Sequence, residues 1–376
     1  MGVKTRHGDG RWRATLKEVA AEVGVSPATV SNAYNRPDQL SEEVRGRVME
    51  AARRLGYAGP DPTARGLRRG RAGAIGVLYA DRLSYAFADP AAVLFFEGVS
   101  RAAEEAGLGL LLVPGSISGR HDPGAVRGAA VDGFVVYCMA EGDQMIEAVR
   151  DRRLPAVLVD DPPEVFAEGM SRVGVDDEGG ARAAAEHLVG LGHRRLAVVS
   201  FELAPNPVGG LAGPDRQARV AFRSTRLRLD GYRKAVEGAG VPWEEVLVYE
   251  CPENVPEEGA RAARVLLGMD PRPTALLAIS DQLAFGVVQA AGEMGFSVPG
   301  DLSVVGFDDV PEAARANPPL TTVHQDHVEK GLLAGRLLVA RLGGEEPETP
   351  STLRTRLVVR ESTAPPRGDA KPRVEP

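Results

Sequence analysis

Residues 15–57, TLKEVAAEVGVSPATVSNAYNRPDQLSEEVRGRVMEAARRLGY, read as three short helices with a tight turn between the first two. Leu16, Val19, Ala20 and Val23 recur at i, i+3, i+4 and i+7, so the first helix, 16–23, has one apolar face. Gly24 ends it, because glycine enters the left-handed backbone region without a Cβ clash. Ser26 can accept from the exposed N–H groups of the next helix, and Pro27 has the φ that a first helical position needs. A second helix therefore begins a few residues after the first stops. In a helix-turn-helix the second helix enters the major groove and its N-terminal side chains meet base edges. Here those are Pro27, Ala28, Thr29, Ser31 and Asn32, with Thr15, Ser26 and Asn35 as further candidate DNA contacts. Asn32 can pair bidentately with adenine, while Ala28 and the Thr29 methyl can meet a thymine methyl. Val30 and Ala33 should pack inward. The third helix starts at Ser41, carries Glu42 and Glu43 in its first turn and Arg53 and Arg54 in its last, and stops at Gly56, as the helix dipole favours. An Ala-rich helical hairpin with no DNA role would show part of this pattern, so the rest of the chain has to decide.

Charge divides along the chain. The 376 residues carry a formal net charge of −7, yet residues 1–71 hold 14 Lys and Arg against 8 Asp and Glu, leaving 31 against 44 for the remainder. A basic head can neutralise phosphates, and an acidic body discourages indiscriminate coating of DNA. Between them lies GPDPTARGLRRGR, residues 59–71, where Asp61 is a good N-cap and Pro62 a good first helical residue. Gly66 and Gly70 would leave such a helix marginal on its own.

From Gly73 onward, apolar runs (AIGVLYA, LGLLLVP, VDGFVVYCM, LPAVLVD, RRLAVVS, TALLAIS, DLSVVGF) alternate with helical stretches such as GGARAAAEHLVGLG and RLDGYRKAVEGAG. That alternation predicts parallel, doubly wound sheets buried on both faces. Ligands in such sheets bind at the carboxyl ends of strands. The polar residues there are Asp160, Ser280, Asp281 and Asp308. Asp281 has a rival role in capping the helix that follows, and Asp309 is expected to cap or face solvent.

Catalysis finds little support. There is no P-loop, Gly107-Leu-Gly109 lacks the rest of a dinucleotide fingerprint, and Ser200 sits in no nucleophile elbow. His324 and His327 in VHQDH have no partners at a metal spacing and read better as a crossover, so neither metal nor cofactor is expected. Cys138 and Cys251 belong to no CxxC pattern and read as reduced thiols. The opening MGVKTRHGDGRWR is charged, with no apolar stretch, and no run is long enough to span a bilayer, so a cytoplasmic protein without membrane contact is expected.

TLKEVAAEVGVSPATVSNAYN, LSEEVRGRVMEAARRLGY, DPTARGLRRGRAGAIGVL, VDGFVV, GARAAAEHLVGLGHRRLAVV, RLDGYRKAVE, ALLAISDQLAFGVVQAAGEMG, VPGDLSVVGFDD and PPLTTVHQD follow one another in an order that resembles the lactose/galactose repressor (LacI/GalR) family of bacterial transcription regulators. The match spans about residues 14–363. The resemblance implies an all-α helix-turn-helix head, 15–58, after an N-terminal arm, 1–14, expected to be disordered. It also implies a hinge helix, 59–71, and an α/β effector domain, 73–363, like periplasmic sugar-binding proteins. Subdomain 1 would be about 73–172 and 327–354, and subdomain 2 about 176–322 and 356–363. In the family the hinge helix folds when two subunits sit on operator DNA, and a leucine from each wedges into a minor-groove step. The matching residue is Leu67, flanked by Ala64 and Arg65, with a core contact as the other reading of Leu67.

The resemblance also places an effector-binding arginine at Arg228 and an often aromatic position at Asn254. Arg228 and Asp308, sharing a cleft, could each hold adjacent hydroxyls of a sugar. Two departures stand out. Where relatives offer a stacking aromatic this chain has Ala91 and Ala92, with Tyr85 or Phe87 as substitutes. Residues 201–226 are longer than usual and add Arg216, Arg219, Arg223 and Arg226, either a lid whose charge would admit a phosphorylated or acidic effector or a plain solvated loop. The tail 364–376 lacks heptads and is expected to be disordered, which leaves a homodimer as the expected assembly. The implied function is a sugar-controlled repressor on a pseudo-palindromic operator, with inducer and corepressor both open. The alternative is a cytoplasmic solute sensor whose DNA role depends on a corepressor or partner.

Overall fold

Three capped helices build the first of two compact units, residues 1–72 and 73–376, in a computed structural model that describes residues 14–59, 70–117, 120–160, 170–346 and 351–367. Helix α1 is Leu16–Val23, α2 Pro27–Asn35 and α3 Glu42–Leu55. Thr15 and Glu18 close a capping box: the Glu18 N–H donates to Thr15 Oγ1 and the Thr15 N–H donates to the Glu18 carboxylate at 2.7 Å. Ser26 Oγ accepts from the Thr29 N–H at 3.1 Å, and Ser41 caps α3 in the same way. Gly24, at φ 74°, makes the sharp turn between α1 and α2. Val19, Ala20, Val30, Ala33, Val48 and Ala51 form the buried centre. Arg47 fastens α3 to the end of α1 by donating to the Val23 carbonyl at 2.8 Å. The hinge residues Asp61, Pro62, Ala64, Arg65 and Leu67 lie outside the described residues, as does the arm before Ala14.

The second unit holds two sheets. The first has six parallel strands in the order β14 (Ser351–Leu353), β7 (Ser171–Val175), β6 (Ala156–Val159), β5 (Gly133–Tyr137), β1 (Ala74–Tyr79), β2 (Gly109–Pro114). The second runs β15 (Arg356–Val358), β13 (Thr321–His324), β12 (Ser303–Asp308), β11 (Ala275–Ala278), β8 (Leu196–Ser200), β10 (Leu247–Glu250), β9 (Gly210–Leu211), with antiparallel pairing only for its edge strands β15 and β9. A hairpin of β3 (Ser116–Ile117) and β4 (Arg120–His121) stands apart. Central strands such as AVLV of β6 and ALLA of β11 are buried along their whole length, as parallel strands covered by helices on both faces must be. Among the described residues no helix is long and apolar enough to cross a membrane.

Helix Pro90–Glu105 packs on helix His327–Leu342 through two glycines: a Cβ at Gly98 would lie 2.0 Å from the Val328 carbonyl, and one at Gly331 would lie 2.1 Å from that of Phe95. Only backbone fits there.

The chain crosses between the sheets three times, after β7 into helix Asp177–Gly190, after β13 into helix His327–Leu342, and between β14 and β15. Two crossings are tied together, since the Asp176 N–H donates to the Leu353 carbonyl at 2.9 Å and Thr355 Oγ1 donates to the Asp176 carbonyl at 2.8 Å. The apolar runs do not mark β7, whose SRVGV alternates between buried and half-buried, β13, whose TTVH is polar yet β-branched, β10, whose LVYE ends on a glutamate, or the short strands β9, β14 and β15. They also leave helix His327–Leu342 inside an unassigned crossover stretch. The tail needs a correction at its start: Ala364 is stitched to the second sheet through Ser303 Oγ and the His193 ring, and Arg367 pairs with Asp301 at 2.7 Å, so residues 364–367 are packed on the body, and 368–376 lie outside the described residues.

Candidate functional site

Carboxyl ends of both sheets face a common cleft. Two aspartates bend into it. Asp160 follows β6 with φ 62°, and Asp308 ends β12 with φ 119°, backbone conformations that a residue with a side chain holds only when its surroundings enforce them. The enforcement is a buried polar chain. Lys330 Nζ, 1 % exposed, donates to Asp160 Oδ2 at 2.5 Å and to Gln325 Oε1 at 2.9 Å. Gln325 Nε2 donates to Asp308 Oδ1 at 2.6 Å. Arg228 Nη1 stands 3.8 Å from that oxygen, donates to the Ile279 carbonyl at 2.7 Å, and its Nε donates to Asp177 Oδ1 at 2.8 Å. The guanidinium also lies 3.7 Å over the Phe307 ring.

Burial sets the charge states. It pushes Asp308 up to about 7, with Arg228 pulling the other way, and pushes Asp89 up to about 6 and Glu202 up to about 7. Burial, with Lys330 and Arg228 close by, depresses the His327 imidazole well below its ordinary value. Among the described residues, neither ring nitrogen of His327 has a hydrogen-bond partner, Nε2 standing 3.8 Å from Asp308 Oδ1, nor does Asp160 Oδ1, although all three atoms are buried. Buried polar atoms normally find partners, which makes these three candidate ligand contacts. Two bonds join the lobes. The Tyr85 hydroxyl donates to the Asn254 carbonyl at 2.9 Å, and the Glu141 N–H donates to the Ala221 carbonyl at 2.8 Å.

Of the six residues expected at the effector site, Asp160, Arg228, Asn254 and Asp308 line this cleft. Ser280 and Asp281 do not. Ser280 caps helix Asp281–Glu293 and bonds to the Asn254 side chain. Asp281 is fully buried, accepting from the Val310 N–H at 2.9 Å and from Thr322 Oγ1 at 2.5 Å, so it fastens strand ends. Asp309 neither caps nor faces solvent, because it pairs with Arg360 and with His324. Tyr85 lines the cleft, Phe87 is 65 % exposed, Ala91 lines it and Ala92 is in the core. None of the four arginines expected on the long 201–226 segment is among the lining residues: Arg216 lies on buried Glu250, and Arg226 faces Glu141 at 3.8 Å. Lys330, Gln325, His327, Asp89 and Glu202 were missed. Lys330 had left a signal, a lysine on the same helical face as Ala334, Leu337 and Leu338.

On the head, Ser26, Pro27 and Ala28 are exposed and Thr29, Ser31, Asn32 and Asn35 half-buried. Several are engaged already. Thr15 serves the capping box, Thr29 Oγ1 sits 2.9 Å from Ser26 Oγ, and Asn35 Nδ2 donates to the Ser31 carbonyl at 2.9 Å. The Asn32 side chain makes no such bond among the described residues.

Residues 15–59 match the family described as "Bacterial regulatory proteins, lacI family", and residues 185–363 match "Periplasmic binding protein-like domain". An HTH-type transcriptional regulator of Mycobacterium tuberculosis is 46 % identical over 331 residues, covering 88 % of this chain and 91 % of the relative. The complex of the transcriptional regulator CelR with cellobiose superposes with a TM-score of 0.66 at 32 % identity, over 93 % of this chain and all of that one. The lac repressor dimer bound to operator and the anti-inducer ONPF gives 0.76 at 26 % identity, over 94 % and 99 %. The chain is therefore a member of the lacI family of bacterial DNA-binding transcription regulators, and not an enzyme.

Proposed function

We propose that the protein is a dimeric, cytoplasmic repressor whose two heads read the half-sites of a pseudo-palindromic operator and whose cleft binds a sugar or sugar derivative. The observation that carries the effector reading is the set of buried polar atoms on His327 and Asp160 that have no hydrogen-bond partner among the described residues, beside the Arg228–Asp308 pair. A polyhydroxylated ring supplies both donors and acceptors to such a set. CelR with cellobiose supports a sugar, and the operator-bound lac repressor dimer supports paired heads on DNA. Asn32 reads adenine from α2, and Leu67, Ala64 and Arg65 contact the minor groove.

Effector binding changes how the two sheets close on one another, and that movement alters the spacing of the heads. Linkage then demands that operator change effector affinity by the same factor by which effector changes operator affinity. The test is selection of duplexes from a random DNA pool at near-physiological salt, followed by release of the bound duplex with a sugar panel. An enriched inverted repeat released by one sugar is expected. Only weak, salt-sensitive binding with no enrichment defeats the reading.

A further inference from the structure

Resting on the reading of the cleft as a sugar site, we infer that its ligand is an uncharged polyol, and that phosphorylated and carboxylated sugars are excluded. The cleft is lined by six carboxylates, Asp81, Asp89, Asp160, Glu202, Glu253 and Asp308, and by two strong cations, Arg228 and Lys330. The charge of both cations is already matched by carboxylates. Lys330 sits on Asp160, and Arg228 is held between Asp177 and Asp308. Arg82 on the rim faces Glu253 at 3.3 Å and Asp81 at 3.7 Å. Asp89 and Glu202 form no ion pair among the described residues. Segment 161–169, DPPEVFAEG, lies outside the described residues and contains no lysine or arginine.

An anionic ligand would therefore meet no uncommitted cation and at least two unpaired carboxylates. Carboxyls pushed up toward neutrality by burial already resist carrying charge here, and a further anion adds to that cost. A neutral polyol meets complementary atoms. Its hydroxyls can donate to Asp160 Oδ1, Asp89 and the His327 ring, and accept from Arg228.

Two measurements on the full chain test this. The first incubates the protein with a mixture of neutral sugars and cyclic polyols together with phosphate esters and uronates of the same sugars, and identifies the retained ligand by native mass spectrometry. A neutral species is expected, binding at least about 100-fold more tightly than its phosphate ester, the ester's added charge being repelled across a partly desolvated cleft. Retention of an ester or uronate, or an ester within tenfold of its parent, overturns the inference.

The second uses inorganic phosphate at constant ionic strength and needs no knowledge of the ligand. The wild type is expected to show no rise in thermal midpoint over chloride, whereas the double variant Asp89→Asn, Glu202→Gln should gain about tenfold in phosphate affinity. Saturable stabilisation of the wild type by phosphate that the double variant does not increase overturns the inference. If phosphate is excluded and no sugar of any class is retained, the charge selection stands and the sugar reading fails.

Discussion

Head and cleft are fastened in opposite ways. The head's caps join residues three apart, Thr15 with Glu18, Ser26 with Thr29 and Ser41 with Val44, and its centre is aliphatic. The cleft's bonds include ones between residues 51, 169 and 170 apart, and its centre is a chain of buried charged and polar side chains. Loss of one cap leaves a frayed helix end that water can satisfy. Loss of one member of the buried chain leaves a charge with nothing to answer it. The head should therefore fail by degrees and the cleft abruptly.

Asp160→Ala is the most direct attack on that contrast. It strands Lys330 in the interior, and a loss of about 3–5 kcal/mol in the stability of the body is expected by urea unfolding. A loss close to that of a cap deletion would abolish the distinction. The next largest effect is in pH. Asp308 in the folded protein titrates at about 7, raised by burial above its ordinary 3.8, so between those values the folded state holds a proton that the unfolded state has released. Its contribution to stability is complete below the lower value and is lost as pH rises through the upper one. The ligand-free body should weaken from about pH 4 to pH 7, and Asp308→Asn should reduce that slope while leaving the part that Asp89 and Glu202 supply; an unchanged slope would assign the proton elsewhere.

The head predictions are smaller. Asn32→Ala should cost about 1–3 kcal/mol of discrimination at a single base pair while leaving non-specific affinity in place, read by duplex selection. Ser26→Ala should cost the head about 1 kcal/mol, read by hydrogen exchange in α2, and leave the body's urea midpoint unmoved. A shift of the body's midpoint would show that the two regions are not independent.

The same contrast explains how much could be read from the chain before folding. The turn between the first two helices and both ends of the third are marked by local residues, Gly24, Ser26, Pro27, Ser41 and Gly56, and the helices stand where those residues put them. Central strands were legible for a similar reason, since AVLV or ALLA can only be buried. Cleft residues at strand ends, Asp160 and Asp308, were legible because position along a strand determines which end faces a ligand. Ser280 and Asp281 share that position yet turned aside, Ser280 into capping its own helix and Asp281 into fastening Thr322 on β13 and Val310 just after β12. Lys330 and His327 were hidden for the converse reason. They sit at the start of a helix, and only the fold brings them under the first sheet's carboxyl ends.

The three crossings have a mechanical consequence. A body of two lobes joined by one strand could twist freely, but three tethers, two of them bonded together at Asp176, leave little except opening and closing about their common line. Gln325 lies within one tether, and Asp177 and His327 stand at the first helical residue beyond two of them, so part of the cleft's polar chain rests at the fulcrum. Opening about that line would have to break the bonds that join the lobes elsewhere, Tyr85 to Asn254 and Glu141 to Ala221.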